Sequence, residues 1–264
     1  MLTHTSKIPI EKIIKHERFT IEDTVVDEYP FTIHVNGLEL VTLLCSPANL
    51  EYLGIGFLQS EGFIIDKSCI EKVEYDQKTG YFNVLLPFAT KIFQEKAIGK
   101  RTLTTGCGKG TTFNQDLSWL ESQPITTEIY ISTQQVYDFV NEMQQKSQTF
   151  KETGAAHIST LASTTKILYV HEDIGRHNAL DKLFGECILN EVGYGDKIIV
   201  TSGRISSEML IKCAKRRIPI LISRSAATGL AIELAQKMGI TLIGFVRGNR
   251  MNIYANGWRI VNNN

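Results

Sequence analysis

The chain has 264 residues, enough to bury one large hydrophobic core or two modest ones. Hydrophobic residues make up 43% and charged residues 21% of the chain, which is ordinary for a globular protein and argues against extended disorder. With 28 basic and 28 acidic side chains the formal net charge is zero, so no overall field attracts nucleic acid or a membrane surface. An anionic ligand must therefore be held by a local cluster. We find no secretion signal and no membrane-length apolar run, and we expect a cytoplasmic protein.

The N-terminal part of the chain is predicted to form a small α+β lobe. Apolar alternation on both sides of Asn36 and Gly37 predicts a β-hairpin, because a type I′ turn needs positive φ at both central positions. Ser46, which precedes a proline, is predicted to cap a helix that runs to about Glu61. Another hairpin is predicted around residues 76–80.

Beyond residue 131 the pattern changes to an amphipathic helix over residues 134–150, followed by alternating strands and helices. Short apolar runs separated by amphipathic helices indicate a mostly parallel sheet with helices on both faces. Ligands of such a sheet bind at the carboxyl ends of its strands. We therefore expect an α/β protein with an N-terminal α+β lobe over residues 1–130 and a larger three-layer α/β/α cofactor-binding lobe over residues 131–264. The predicted strands are 166–170, 197–201, 219–223 and 241–246, and the predicted helices are 179–192, 206–217 and 226–238.

Five cysteines without regular spacing argue against a disulfide framework. Cys45, Cys69, Cys187 and Cys213 lie in apolar strand-like or helix-like patterns and are interpreted as small buried hydrophobic residues. Cys107 alone lies in a glycine-rich segment.

That segment, TTGCGKGTTF at residues 104–113, is neither a phosphate loop nor a zinc site. A Walker A motif needs glycine at 103 and serine or threonine at 110, where this chain has Leu103 and Gly110. A zinc knuckle needs a partner thiol or imidazole a few residues from Cys107, and none is present. Two interpretations remain: an incidental cysteine in a flexible loop, or a reactive thiol that glycines leave open and whose thiolate Lys109 favours.

The polar segment VHEDIGRHNALDK follows a predicted strand and opens a helix. His171 or His177 can exchange protons near neutral pH, and Arg176 can bind an anion. In the alternative interpretation, Asp173 caps the helix while Arg176 pairs with Asp181 on its surface. The zinc deaminase pattern of H-x-E followed by P-C-x-x-C is absent, so zinc-dependent deamination is disfavoured.

Three further turns follow predicted strands. Those at residues 201–207 and 223–228 lead into helix N-termini, where free amides and hydroxyls favour phosphate. The third, FVRGNR at residues 245–250, adds two guanidinium groups. Each turn alone is compatible with ordinary capping, but together they place Arg204, Arg224, Arg247 and Arg250 along one rim and indicate a nucleotide ligand. In contrast, we interpret Lys212, Lys215, Arg216 and Arg217 as a solvated helix face.

These motifs resemble those of the formate dehydrogenase accessory sulfurtransferases over nearly the whole chain. The matching segments are LGIGFLQSEG at 53–62, TGCG at 105–108, EDIGRHNALDK at 172–182, SGRISSEM at 202–209, SRSA at 223–226 and FVRG at 245–248.

The resemblance implies a second lobe similar to the cytidine deaminase fold without its zinc. It also implies that the protein accepts sulfur from a cysteine desulfurase as a persulfide and passes it to the bis(molybdopterin guanine dinucleotide) molybdenum cofactor before insertion into formate dehydrogenase. By position, Cys107 matches the persulfide cysteine and residues 245–250 match the cofactor segment. Many members carry a second loop cysteine where this chain has Gly110, so a relay between two thiols cannot operate here.

Our leading hypothesis is a homodimeric sulfur carrier with Cys107 and Lys109 as its catalytic residues and without a structural metal. A second hypothesis is a chaperone that binds the guanine dinucleotide cofactor without sulfur chemistry. A third is a nucleotide-modifying enzyme with His177 or Asp181 as base. The candidate cofactor-binding residues are Arg176, His177, Arg204, Arg224, Ser225, Phe245, Val246, Arg247, Gly248, Asn249 and Arg250.

Overall fold

The computed structural model describes residues 5–87, the backbone of 101–103, and residues 123–262. It begins with a two-stranded ribbon that the sequence reading did not predict. Its strands, β1 (Thr5–Ile14) and β2 (Glu17–Val26), pair antiparallel along their whole length.

The next strands form a five-stranded sheet in the order β5-β6-β3-β4-β7. Both predicted hairpins are confirmed, and the turn of the first has positive φ at Asn36 (51°) and Gly37 (78°), as its Asn-Gly sequence requires. The last strand pairs parallel with β4. The strands are β3 (Tyr29–Val35), β4 (Leu38–Cys45), β5 (Lys72–Asp76), β6 (Tyr81–Leu85) and β7 (Arg101–Leu103).

Helix α1 (Leu50–Ser60) covers this sheet, and its buried residues share a hydrophobic cluster with the strands. The predicted cap at Ser46 is wrong, since the helix is preceded by Asn49 in the left-handed region. The hydroxyl of Ser46 instead accepts a hydrogen bond from the amide of Ile174 at 3.0 Å. A long-range contact therefore overrides the local capping signal.

The second sheet has six strands in the order β10-β9-β11-β12-β13-β14. The prediction of a mostly parallel sheet is wrong, because only β11–β12 and β12–β13 are parallel pairs and two unpredicted strands, β9 and β14, run the opposite way. Strands β10 to β13 nevertheless point in one direction, so their carboxyl ends share one edge. The strands are β9 (His157–Ala162), β10 (Ile167–Asp173), β11 (Ile198–Thr201), β12 (Ile220–Ser223), β13 (Thr241–Arg247) and β14 (Arg250–Ala255).

Helices cover both faces of this sheet, as predicted. Along β11, Ile198 and Val200 join the cluster that contains α2, whereas Ile199 joins the cluster that contains α4, α5 and α6. The predicted helix over 134–150 is divided at Ser147. The helices are α2 (Thr133–Lys146), α3 (Gln148–Thr153), α4 (Arg176–Leu189), α5 (Ser207–Lys215) and α6 (Gly229–Met238), and the short strands β8 (Ile131–Ser132) and β15 (Ile260–Val261) pair parallel.

The two sheets are joined by α1 and α4, whose backbones touch at glycines. A β carbon at Gly56 would lie 1.8 Å from the carbonyl oxygen of Asp181, and one at Gly185 would lie 1.9 Å from that of Tyr52. Only glycine permits this approach. The division into residues 1–130 and 131–264 stays a prediction. Within the described ranges, no helix is long and apolar enough to cross a membrane.

Candidate functional site

The carboxyl ends of β10, β11, β12 and β13 bring the predicted turns to one edge of the second sheet. The amide of Arg224, just after β12, donates to the carbonyl of Thr201 at the end of β11 at 3.1 Å. The Nε of Arg247, at the end of β13, donates to the carbonyl of Arg224 at 3.3 Å. The alternation of strands and helices therefore predicted the position of this edge correctly, although the sheet is mixed.

A cavity of about 300 Å³ opens at this edge, at the lower end of the range for small-ligand sites. Its floor comes from β9 and from the turns after β10, β11 and β12, and its outer wall comes from the corner between α2 and α3. The lining is largely apolar, with a few polar groups from Ser147, His157, Ser202 and Arg224. His157 was missed because β9 was not predicted: its sequence HISTLA contains polar residues and gives no continuous apolar run.

Several arginines concentrate positive charge at this edge, which we call the arginine edge: Arg176, Arg204, Arg224, Arg247 and Arg250. Arg176, the first residue of α4, packs its side chain over Gly203, where a β carbon would lie 2.8 Å from Arg176 Cβ. Burial, reinforced by nearby Arg204, lowers the pKa of Arg176, while Glu208 opposes this shift. Arg176 and Arg204 therefore lie close enough to repel each other. A bound anion would relieve their repulsion.

His177 is a neutral, mostly buried side chain beside this cluster. Its Nδ1 lies 3.7 Å from Glu208 Oε2, and its Nε2 is buried without a hydrogen-bond partner in the described residues. Burial, with help from Lys212 and Arg176, lowers the pKa of His177 to about 3. The ring therefore carries no exchangeable charge at neutral pH and is poorly suited to act as a general base.

Two other candidates for proton transfer are engaged in internal contacts. His171 is buried with Nε2 2.8 Å from Glu186 Oε2, and it also contacts the side chain of Asn49. The carboxylate of Asp181 accepts hydrogen bonds from Lys212 at 2.5 Å and from Ser60 at 2.6 Å. These contacts assign both residues to the junction between the sheets, away from the arginine edge.

The interpretation of Lys212 and Arg216 as part of a solvated face is wrong, since they are only 5% and 7% exposed. Their partners come from other helices: Asp181 for Lys212, and Gln59 for Arg216 at 2.8 Å. The burial of these side chains could not be predicted from the sequence of α5, because their partners lie 31 and 157 residues away in the chain.

The capping interpretation of the polar segment is also wrong. Gly175, without a side-chain cap, precedes α4. Asp173 is fully buried and pairs with Lys182 Nζ at 2.6 Å, while its other oxygen accepts from the side chain of Asn178 at 3.0 Å. Since Asp181 pairs with Lys212, it is not the surface partner of Arg176.

The segment at residues 245–250 forms a distorted hairpin between β13 and β14. Phe245 has a φ of 52°, and the pairing register shifts between Gly244 and Arg247. Positive φ is costly for an aromatic residue and clusters at functional sites. The guanidinium carbon of Arg247 lies 5.7 Å from the centre of the Phe245 ring, within cation–π range. The Phe245 amide donates to the carbonyl of Ser225 at 3.0 Å, which joins two predicted site segments.

The predicted catalytic residues Cys107 and Lys109 lie outside the described residues. The strand before them is described: Leu103 of β7 pairs in parallel with Leu43 of β4. Three residues after Leu43, the amide of Ser46 donates to Asp173 Oδ2 at 3.0 Å. Strand β7 therefore ends on the side of the first sheet that meets β10 and the arginine edge.

The described cysteines include three that are poorly suited to sulfur chemistry. Cys45, Cys187 and Cys213 are buried, as predicted. Burial raises the pKa of Cys187 and of Cys213 to about 12, and it raises the pKa of Cys45 further. Their thiolates, the reactive forms, are scarce at neutral pH. The prediction of a buried Cys69 is wrong, since this residue is only partly buried and lies in a short 3₁₀ helix.

The described residues form an α/β protein with two main sheets and an arginine-rich edge on the larger one. Residues 26–261 match the model of the FdhD/NarQ family. A protein described as sulfur carrier protein FdhD from Bacillus subtilis is 44% identical over 240 residues, covering 91% of each chain. Another of that description, from Staphylococcus aureus, is 38% identical over 260 residues, covering 96% of this chain and 95% of the relative. The chain belongs to the FdhD/NarQ family, which confirms the resemblance seen in its motifs.

The fold is shared with a solved structure from Desulfotalea psychrophila, of a protein described as a formate dehydrogenase accessory protein. The TM-score is 0.78, the sequence identity is 24%, and the match covers 98% of this chain and 100% of that chain. The finer likeness of the second lobe to cytidine deaminases stays a prediction.

Proposed function

We propose that this chain is a cytoplasmic sulfur carrier that takes sulfur from a cysteine desulfurase on Cys107 and delivers it to the bis(molybdopterin guanine dinucleotide) molybdenum cofactor for formate dehydrogenase. The observation that carries the proposal is geometric. Strand β7, which leads to Cys107, ends beside the segment that bonds to Asp173 and Ile174 at the arginine edge. Cys107 follows Leu103, the last residue of β7, by four positions in the sequence.

The names of the relatives support the sulfur chemistry. In the proposed loading step, the Cys107 thiolate attacks the outer sulfur of the desulfurase persulfide, a new S–S bond forms, and the desulfurase cysteine leaves as a thiolate. Release of that sulfur to the metal as sulfide needs two electrons, which a thiol reductant supplies. Cys107 returns as a thiol. Lys109 favours the attacking thiolate.

The arginine edge supplies the proposed binding site for the cofactor, which is the substrate here. Guanidinium groups bind phosphate through paired, charge-assisted hydrogen bonds. Arg204, Arg247 and Arg250 are exposed and available for such bonds, and Arg224 lines the cavity. In this proposal the guanine dinucleotide lies along this edge, with His177 and Ser225 beside it. The homodimer expected from the sequence stays a prediction.

The test is persulfide loading with a matched control. We expect the wild-type protein, incubated with a desulfurase and free cysteine, to gain the mass of one cyanide-labile sulfur atom. Cys107→Ala abolishes this gain, whereas Cys69→Ala, which removes the least buried of the described cysteines, retains it. Sulfur on the Cys107→Ala protein, or its full support of formate dehydrogenase activity, would contradict the proposal.

A second candidate, a cofactor-binding chaperone without sulfur chemistry, is favoured by the arginine edge taken alone. It predicts that Cys107→Ala supports formate dehydrogenase as well as wild type does, while Arg247→Ala fails. The first proposal predicts that both variants fail.

A further inference from the structure

The outer wall of the cavity is built by a corner of the chain that cannot hold its shape unaided. The corner runs from the end of α2 through Ser147 into α3, and it contributes Ser147, Phe150 and Gly154 to the lining. Helix α3 has six residues. Isolated helices shorter than about 12 residues are marginal in water, so contacts from elsewhere must order this one.

Some of those contacts come from the ribbon strand β2, against which α3 packs, and others come from one carboxylate on the neighbouring strand β10. The two oxygens of Glu172, on β10, accept hydrogen bonds from the amides of Gln148 and Thr149 at 3.1 Å each and of Phe150 at 3.3 Å. The hydroxyl of Ser147 also donates to Glu172, and α3 has no side-chain cap hydrogen bond of its own. Glu172 therefore satisfies the free donors of the first turn and places a negative charge at the helix N-terminus.

The backbone of Glu172 is itself fixed. Its position on β10 pairs with Ile158 of β9, which lines the cavity, and its carbonyl accepts a hydrogen bond from buried Lys182 at 3.3 Å. The carboxylate thus joins a rigid floor to the first turn of α3.

We infer that Glu172 is a positioning residue for the ligand cavity. Its carboxylate holds α3 in place, and α3 forms the outer wall of the cavity. The inference rests on the proposed function only in naming a guanine nucleotide as the ligand. When the wall is released, the binding-competent state becomes a fraction of the population, and the apparent dissociation constant rises by the inverse of that fraction. An amide in place of the carboxylate keeps an acceptor but loses the charge, which roughly halves the strength of such bonds.

Hydrogen exchange tests the positioning without any ligand. In Glu172→Gln, we expect amides in a peptide covering residues 147–153 to exchange about tenfold faster than in wild type. The matched control is Glu152→Gln, which changes an exposed carboxylate on α3 itself that bonds only to the Gln148 side chain among the described residues. It should leave exchange within about twofold. Unchanged exchange in Glu172→Gln would overturn the inference.

Titration with GDP tests the consequence for binding. We expect Glu172→Gln to weaken GDP binding about tenfold and Glu152→Gln to leave it unchanged, while persulfide loading on Cys107 stays at the wild-type level in both. Glu172→Asp, which keeps the charge on a shorter side chain, should fall between wild type and Glu172→Gln. Equal GDP affinity in wild type and Glu172→Gln overturns the positioning role. If wild type does not bind GDP, the proposed ligand fails, and the exchange experiment still decides whether Glu172 holds α3.

Discussion

The contact between α1 and α4 makes Gly185 a severe test of how the two sheets are joined. Replacing it with alanine puts a β carbon 1.9 Å from the carbonyl oxygen of Tyr52, about 1.5 Å short of an ordinary contact at 3.4 Å. Both partners are backbone, so no side chain can turn away. The helices must separate, which also loosens the neighbouring Ser60–Asp181 hydrogen bond.

The expected cost of Gly185→Ala is about 3 kcal/mol or more, the upper end of the range for overpacking. Alanine returns about 1 kcal/mol through its better helix propensity. A net loss of about 2–3 kcal/mol lowers the melting temperature by roughly 5–10 °C for a chain of this size. The control is Gly229→Ala, at the exposed first position of α6, where a β carbon meets nothing within 4 Å.

Differential scanning calorimetry on both variants checks this estimate, and a double-mutant cycle sharpens it. Gly56→Ala disturbs the same contact from the other helix, because its β carbon would lie 1.8 Å from the carbonyl oxygen of Asp181. Once one substitution has separated the helices, the second costs less, so the double variant should lose at least about 1 kcal/mol less than the sum. A Gly185→Ala melting temperature equal to that of Gly229→Ala, or strictly additive losses, would refute a backbone contact here.

Two further predictions concern buried ionisable groups. Lys182→Met leaves Asp173 buried without its cation, and urea unfolding should show a loss of about 3–5 kcal/mol. Lys72→Met, which breaks an exposed pair with Glu74, should leave the urea midpoint close to that of wild type, and equal losses in the two variants would contradict the assignment. His177 has a pKa of about 3 in the folded chain and near 6.5 when unfolded, so the unfolded state binds more protons between these values and acid destabilises the fold. Between pH 7 and pH 5 the free energy of unfolding should fall by about 2 kcal/mol because of this ring. His177→Gln should remove that part of the pH dependence, and an unchanged slope would show that the ring titrates normally.

Local rules predicted the elements whose causes are local. The Asn36–Gly37 turn is an example, because positive φ at two adjacent residues is a property of those residues alone. The strands β10 to β13 and the helices between them were also found from periodicity, and this placed Arg224 and Arg247 at one edge. Strand β9 was missed, and with it His157, because the polar residues Ser159 and Thr160 interrupt its apolar pattern although both are buried in the fold.

The wrong predictions share a physical cause: polar partners that are distant in the sequence determine whether a side chain is buried and what it bonds to. Ser46 looks like a cap but is bonded to residues 127 and 128 positions away. The sequence pattern predicts a solvated Lys212, yet the side chain is buried because it pairs with Asp181 on α4. Glu172 has no signal at all in its own surroundings, since its donors lie 22 to 25 residues upstream on a different element.

The junction between the sheets depends on two kinds of contact, a close backbone approach and a buried ion pair. The glycine contact of α1 with α4 permits no closer approach, whereas the fully buried Lys182–Asp173 pair penalises any separation that would leave a charge unpaired. Asp173 also accepts from the amide of Ser46, at the end of β4, the strand that pairs with β7. The position of the strand end that precedes Cys107 is therefore fixed relative to the arginine edge by rigid contacts. Under the proposed function, changes at this junction should impair sulfur delivery to the cofactor while leaving the loading of Cys107 by the desulfurase unaffected, because loading needs only an accessible thiol.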